Sequence, residues 1–200
     1  MNTLMISRLE RDPVAQFRLW FEDWKAASPP EPTAMTVSTV DADGQPWVRT
    51  VLLKQVDERG FVFYTNRESN KGRQLIAHPR VALHFLWLQT SRQVQVQGRV
   101  ELTTPEEDDA YFASRARESQ LGAWASQQSR PLNGRDQLEN RFAALNKQYA
   151  DGAVPRPPYW GGFRVIPERF EFWQAGAHRL HDRFEYTPDD NGWFIQRLNP

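Results

Sequence analysis

The 200-residue chain has no cysteine and only four histidines. The first absence excludes disulfides, thiolate catalysis and cysteine-ligated metals, and it suits a reducing cytosol. The second leaves too few histidines for an obvious metal site. Charge of one sign is missing as well: 25 Lys and Arg balance 25 Asp and Glu. There is thus no general basic field for nucleic acid, and any anion site has to be local. No apolar run approaches the roughly 18 residues of a membrane span. Met1 to Arg11 also lacks the apolar stretch of a signal peptide. The expectation is a soluble, cytoplasmic protein. Familiar catalytic signatures are absent too, with no GxGxxG, P-loop, GxSxG or HExxH. No repeat, low-complexity tract or linker divides the chain. Residues 1–200 are therefore expected to form one domain, with 1–11 as a flexible start.

What is present is aromatic and β-branched. Apolar residues at 40% and aromatics at 12% are enough for a packed core and exclude a disordered chain. Asp12-Pro13 ahead of Val14, Phe17, Leu19, Trp20, Phe21 and Trp24 predicts a helix with an acidic cap and Pro at its first position. Ala34–Val40, Trp47–Val56 and Phe61–Thr65 read as a three-strand meander, with turns at 41–44 and 57–60. Ser69 to His78 reads as a short capped helix stopped by Pro79. Strands follow at Val81–Trp87 and Gln93–Leu102. In the second, Gln93, Gln95 and Gln97 alternate with Val94 and Val96, giving one polar and one buried face.

Thr104-Pro105-Glu106-Glu107 is a helix start leading into Tyr111 to Arg117, and helical patches follow at 120–128 and 137–149. The end returns to strands at Trp160–Ile166, Arg169–Trp173, Arg183–Tyr186 and Trp193–Leu198. About eight short strands with helices inserted predict a mainly β protein, an antiparallel barrel decorated by helices.

Two stretches invite a ligand. Arg49 and Lys54 bracket Val51, Leu52 and Leu53; by themselves they read as snorkelling strand ends. In a regular strand residues five apart point to opposite faces, so the two could share one site only at a bulge, a strong twist or a strand's end. The second stretch, Gly176 to Arg183, holds His178, Arg179, His181, Asp182 and Arg183. As an exposed loop it is unremarkable. Between strands, His181 could donate to an oxygen while Arg179 and Arg183 grip a planar anion. His78 and His84 read as structural.

Taken in order, Arg-Thr-Val-Leu-Leu-Lys54, Phe-Tyr-Thr-Asn66, Ser-Asn-Lys71, Arg-Gln-Val94, Tyr-Phe-Ala-Ser-Arg115, Ser-Gln-Leu-Gly-Ala-Trp124, Gln-Ser129, Tyr-Trp-Gly-Gly162, Glu-Phe-Trp173 and Arg-Leu-His-Asp-Arg183 resemble the pyridoxine (pyridoxamine) 5'-phosphate oxidase family. The resemblance runs from about Asp12 to Pro200. It implies a split-barrel flavoprotein, a homodimer holding FMN at the subunit interface. The implied reaction oxidises pyridoxine 5'-phosphate or pyridoxamine 5'-phosphate to pyridoxal 5'-phosphate by hydride transfer to the flavin, with O2 as acceptor and H2O2 as by-product. Residue by residue, it implies that Arg49, Thr50, Val51, Leu52, Leu53, Lys54, Tyr64, Thr65, Lys71, Gln93, Gln128, Ser129, Trp173 and Arg183 bind the cofactor. Lys54, Tyr111, Arg115 and Ser119 would hold the substrate phosphate, and Arg179 and His181 would act as the catalytic pair over the pyridine.

The chain departs from that pattern twice. Asn70 stands where an Arg commonly precedes the Lys, with Arg73 one turn on as the candidate to compensate. The family's longer N-terminal segment, which folds over the substrate, has no match in the eleven residues before Asp12, where Arg8 and Arg11 are the candidates to replace it. Two other readings remain. A phenazine-pathway type flavin oxidase of the same fold should lack the substrate-phosphate set, and a non-catalytic module would bind flavin or pyridoxal phosphate without turnover.

Overall fold

The computed structural model describes residues 3–200. Nine strands form one antiparallel sheet: β1 (Ala34–Val40), β2 (Pro46–Leu52), β3 (Gln55–Asp57), β4 (Gly60–Asn66), β5 (Arg80–Trp87), β6 (Arg92–Leu102), β7 (Trp160–Gln174), β8 (Asp182–Asp189) and β9 (Gly192–Leu198). The main order is β2-β1-β5-β6-β7-β4-β3, and β8 and β9 extend from the far end of β7. Five helices are inserted: α1 (Pro13–Ala26), α2 (Asn70–Ala77), α3 (Pro105–Ala113), α4 (Arg117–Ala125) and α5 (Arg135–Gln148).

The predicted meander does not form as drawn. Trp47–Val56 is not one strand: β2 ends at Leu52 and a separate β3 starts at Gln55. β2 pairs only with β1, whereas β3 pairs with β4. The peptide N–H of Leu53 donates to Thr33 at 2.8 Å, while that of the next residue, Lys54, donates to Val62 at 2.9 Å. Two residues thus carry the chain from one edge of the sheet to the other, so the edges must approach there. This curls the sheet into a half-open barrel. A second difference is that Trp160–Ile166 and Arg169–Trp173 are one 15-residue strand. It continues through Pro167 because the ladder with β6 shifts register opposite Gln97 and Gly98, where a missing donor is tolerated.

Helix α1 plugs the barrel. Asp12 caps it by accepting from the N–H of Val14, and Val14, Phe17, Trp20, Phe21 and Trp24 face inward. The Phe17 ring is fully buried, edge-on to Phe61 and Phe85 at 4.8 Å in each case. Where the sequence suggested a flexible start, residues 4–10 are tied to the barrel. Leu4 donates from its N–H to Asp182 at 2.7 Å, Arg197 donates to the Leu4 carbonyl at 2.6 Å, and the Tyr186 hydroxyl donates to the Glu10 carbonyl at 2.9 Å.

Helices α3 to α5 pack as a second layer over the start of β7 and the end of β4, with Phe112, Leu121, Val154 and Trp160 at its centre. Thr104 and Glu107 form the expected capping box of α3. The layer is bolted on by Asp108, which is 1% exposed. Its carboxylate accepts from Arg67 (2.8 Å), Thr103 (2.5 Å) and the Gly162 N–H (2.8 Å). A Cβ on Gly161 would lie 2.4 Å from both Arg67 and Asp108, so that position has to be glycine.

Asp108→Ala leaves the Arg67 guanidinium without its carboxylate. The expected loss is about 3 to 5 kcal/mol in urea denaturation; a loss below about 1 kcal/mol would show that the network does not hold the layer.

Candidate active site

Between the barrel and the helical layer lie two cation sites of unusual character. In the first, Arg49 reaches from edge strand β2 to the start of α2. Its guanidinium donates to the hydroxyl of Thr39 (2.5 Å), the side-chain carbonyl of Gln74 (3.0 Å) and the backbone carbonyls of Val37 and Trp47 (both 3.3 Å). Lys71, in the first turn of α2, donates to Gln128 Oε1 (2.8 Å), Thr65 Oγ1 (3.0 Å) and Ser69 Oγ (3.4 Å). Ser69 also caps α2. Every one of these partners is neutral. Burial, and then the neighbouring Arg49 charge, pull the Lys71 ammonium down to about 8, and burial also lowers Arg49. Holding two desolvated cations together with no acid is unfavourable unless an anion completes the site.

The second site is Arg115, in the turn between α3 and α4. Its guanidinium lies 4.6 Å over the Trp160 ring and 5.5 Å from that of Phe112, and its Nη1 is buried without a hydrogen-bond partner. Such an orphaned donor asks for an acceptor from outside the chain. Burial lowers its pKa. Tyr111 stacks on Tyr64 at 4.0 Å, and burial, then Asp108, push the Tyr64 hydroxyl up to about 12, keeping it neutral. A pocket of about 360 Å³, lined by Tyr64, Thr65, Arg115, Ser119, Gln128 and Trp160 among others, joins the two sites.

A third group sits elsewhere. Gln93, Trp173 and Arg183 are register partners across β6, β7 and β8, so they form one row on the outer face. The alternation read from the sequence holds, since Val94 and Val96 are fully buried behind them. His181 lies 4.6 Å from Trp173 and accepts the Gly176 N–H at Nδ1, which leaves its proton on Nε2. His178 and Arg179 both adopt left-handed φ values, 56° and 64°, a strain that side chains tolerate mainly at functional loops. Arg183 differs from the other cations because Glu171 binds it through two oxygens, at 2.8 and 3.0 Å, and raises its pKa.

Residues 22–149 match the family described as "Pyridoxamine 5'-phosphate oxidase", and residues 160–200 match the "Pyridoxine 5'-phosphate oxidase C-terminal dimerisation region". The chain belongs to the pyridoxamine 5'-phosphate oxidase family. A pyridoxine/pyridoxamine 5'-phosphate oxidase of Gluconobacter oxydans is 52% identical over all 200 residues and its own full length. That of Synechocystis is 56% identical over 188 residues, 94% of this chain and 88% of the relative. Among solved structures, PhzG from Burkholderia lata in complex with tetrahydrophenazine-1-carboxylic acid superposes with a TM-score of 0.93 at 29% identity, covering 100% of this chain and 98% of its own. A pyridoxamine 5'-phosphate oxidase-related, FMN binding protein from Nostoc punctiforme shares the fold, with a TM-score of 0.74 at 15% identity over 94% of this chain and 98% of its own. The family makes the protein an oxidoreductase of flavin type, and its C-terminal region makes it a homodimer. No helix among the described residues is long and apolar enough to cross a membrane.

For this oxidase the structure brings Arg49, Tyr64, Thr65, Lys71, Tyr111, Arg115, Ser119 and Gln128 around one pocket or its cation site. Ser129 follows Gln128 in a left-handed turn, φ 70°. Thr50, Val51 and Leu52 belong to an edge strand, which leaves one row of peptide groups unpaired and open to a ligand. The Leu53 side chain, 4% exposed, is core, so only its backbone can reach a ligand.

Lys54 is exposed at the barrel corner, in a groove with Arg18, Phe21 and Thr33 rather than in the Arg115 pocket. Asn70 accepts from Arg73 at 2.8 Å, which bends that cation back over the first turn of α2. His84, read as structural, contacts Gln93 at 3.1 Å and so steadies a residue of the outer row. Thr39 and Gln74 were missed. Helical spacing was the available signal for Gln74, which lies one turn past Lys71.

Lys71 has a folded pKa of about 8 against 10.5 for the free side chain, so folding penalises its charged form. The penalty is present below about pH 8 and is relieved as pH rises toward 10.5. Lys71→Met should therefore stabilise the ligand-free protein by about 1 to 3 kcal/mol at pH 7, with the gain over wild type shrinking at pH 10. Urea denaturation of both proteins at the two pH values measures it, and equal stabilities at pH 7 would refute the electrostatic strain.

Proposed function

We propose that the chain is an FMN-dependent oxidase that converts pyridoxine 5'-phosphate or pyridoxamine 5'-phosphate to pyridoxal 5'-phosphate in the cytoplasm, with oxygen as electron acceptor and hydrogen peroxide as by-product. One observation carries the reading: two uncompensated cation sites, Arg49 with Lys71 and Arg115 alone, flank a single ring-lined pocket. Two anion receptors on one pocket suit a phosphorylated cofactor meeting a phosphorylated substrate. FMN fits the first of them. Its phosphate carries the charge that Arg49 and Lys71 lack, and the open edge of β2 at residues 50–52 suits the hydrogen-bonding rim of a flavin. Tyr64, Thr65, Gln128 and Ser129 complete that half of the site. Tyr111, Arg115 and Ser119 take the substrate phosphate, whereas Lys54 opens on a separate groove and is left out of that set.

Gln93, Trp173, Arg183, Arg179 and His181 belong to the same site only if they come from a second copy. Thr65 is opposite Gly161 at one end of β7 and Trp173 stands twelve residues on, a contour of about 40 Å. No single flavin spans that. An isologous dimer would bring the far end of one chain to the cradle of the other and generate two equal sites. The chain would then act as one domain whose site is complete only when paired.

FMN supplies a hydride acceptor when bound, and the protein's part is to bind, orient and exclude water. His181, with Nδ1 occupied by the Gly176 N–H, offers its Nε2 proton to the substrate oxygen or amine. Arg179 makes no hydrogen bond through its side chain among the described residues, so it brings a full charge to hold the pyridine over the flavin. The phenazine-type alternative is less well supported, because identity to PhzG is 29% against 52% and 56% for the two oxidases.

Two experiments test this reading. Anaerobic addition of pyridoxamine 5'-phosphate should bleach the flavin absorbance of the purified protein; a yellow protein that stays yellow with both phosphorylated substrates is a binding module or another oxidase. Arg115→Ala removes one charge-assisted contact worth roughly 1.5 to 3 kcal/mol, about ten- to a hundredfold in affinity. That loss should appear mainly in KM for the phosphorylated substrate, and an unchanged KM would sink the assignment.

A further inference from the structure

The Arg49 guanidinium is oriented without being neutralised, and Gln74 and Thr39 do the orienting. Gln74 Oε1 accepts twice, from Arg49 Nη2 at 3.0 Å and from the Thr39 hydroxyl at 2.6 Å. Thr39 in turn accepts from Arg49 Nη1 at 2.5 Å and is 1% exposed. The three side chains form a closed triangle in which one hydroxyl donates once and accepts once. The triangle spans β1, β2 and α2, so it also ties the helix that carries Lys71 to the strand that carries Arg49. An oxygen acceptor is needed at position 74 to hold the guanidinium. A carboxylate would supply one with the same reach, but it would cancel the charge.

We propose that Gln74, locked by Thr39, is a specificity-determining positioning residue. It holds Arg49 while leaving its charge unspent, and so makes the site select phosphorylated over unphosphorylated flavin. The inference rests on FMN being the cofactor. It concerns residues that need not touch the flavin ring, so its signature is a difference between two flavins that share that ring. A merely structural role for Gln74 would move both affinities together.

The test is equilibrium titration of the flavin-stripped dimer with FMN and, separately, with riboflavin, following quenching of flavin fluorescence. Wild type should prefer FMN. Gln74→Glu keeps the shape and the acceptor but places a negative charge beside Arg49. It should weaken FMN binding about ten- to a hundredfold, the range for losing a charge-assisted contact, and leave riboflavin binding within about threefold of wild type. Thr39→Val removes the lock without adding charge; FMN should weaken about three- to tenfold, again with riboflavin unchanged. An unaltered FMN-to-riboflavin ratio in Gln74→Glu overturns the proposal. If that variant binds neither flavin because it misfolds, the ratio in Thr39→Val decides. A wild type that binds riboflavin as tightly as FMN would instead overturn the cofactor reading.

Discussion

One buried carboxylate sets the geometry of everything else. Asp108 satisfies a guanidinium, a hydroxyl and a peptide N–H at once, and these belong to the end of β4, the end of β6 and the start of β7. A buried ion is tolerated only when its remaining lone pairs are filled in this way. Because Asp108 is one helical turn before Tyr111, fixing it fixes the Tyr111–Tyr64 stack and the approach of Arg115 to Trp160. The glycine pair at 161 and 162 is the steric counterpart, since a Cβ at either would collide with the network or with Thr103.

Around that anchor the cations divide into two kinds. Arg67, Arg164 and Arg183 are each bound to carboxylates, and such pairs hold strands and helices in register. Arg49, Lys71 and Arg115 are not; they are held by amides, hydroxyls, carbonyls or an aromatic face. A neutral protein can bind phosphates because it spends its acids on the first kind and withholds them from the second. The lowered pKa values of all three register what that separation costs before any anion arrives.

Much of this could be read from the residues. Caps at Asp12, Ser69 and Thr104 and the Gln–Val alternation of β6 follow from local chemistry and appear in the structure where expected. The run Val51 to Val56 misled because no Gly, Pro or other turn residue marks the corner within it, and only the pairing of Leu53 with Thr33 and of Lys54 with Val62 distinguishes two strands from one. Trp160–Ile166 and Arg169–Trp173 read as two strands but are one, because a register shift in β6 absorbs Pro167 between them. The site was legible as a set of motifs and not as a place. Arg49 and Gln74 are 25 positions apart and Thr65 and Gln128 are 63 apart, separations that no local pattern encodes.

The long strand β7 also fixes an order of events. β4 carries Tyr64 and Thr65, and its longer partner is β7; Arg67, just past the end of β4, meets the Gly162 carbonyl 95 positions downstream. Loop closure over that distance comes late, because its entropic cost must be met before the contacts return anything. A nascent chain that has released its first 150 residues from the ribosome has therefore made every cation of the cradle without the wall that holds them in place. The strand that closes the cradle thus begins the same segment, residues 160–200, that matches the family's dimerisation region.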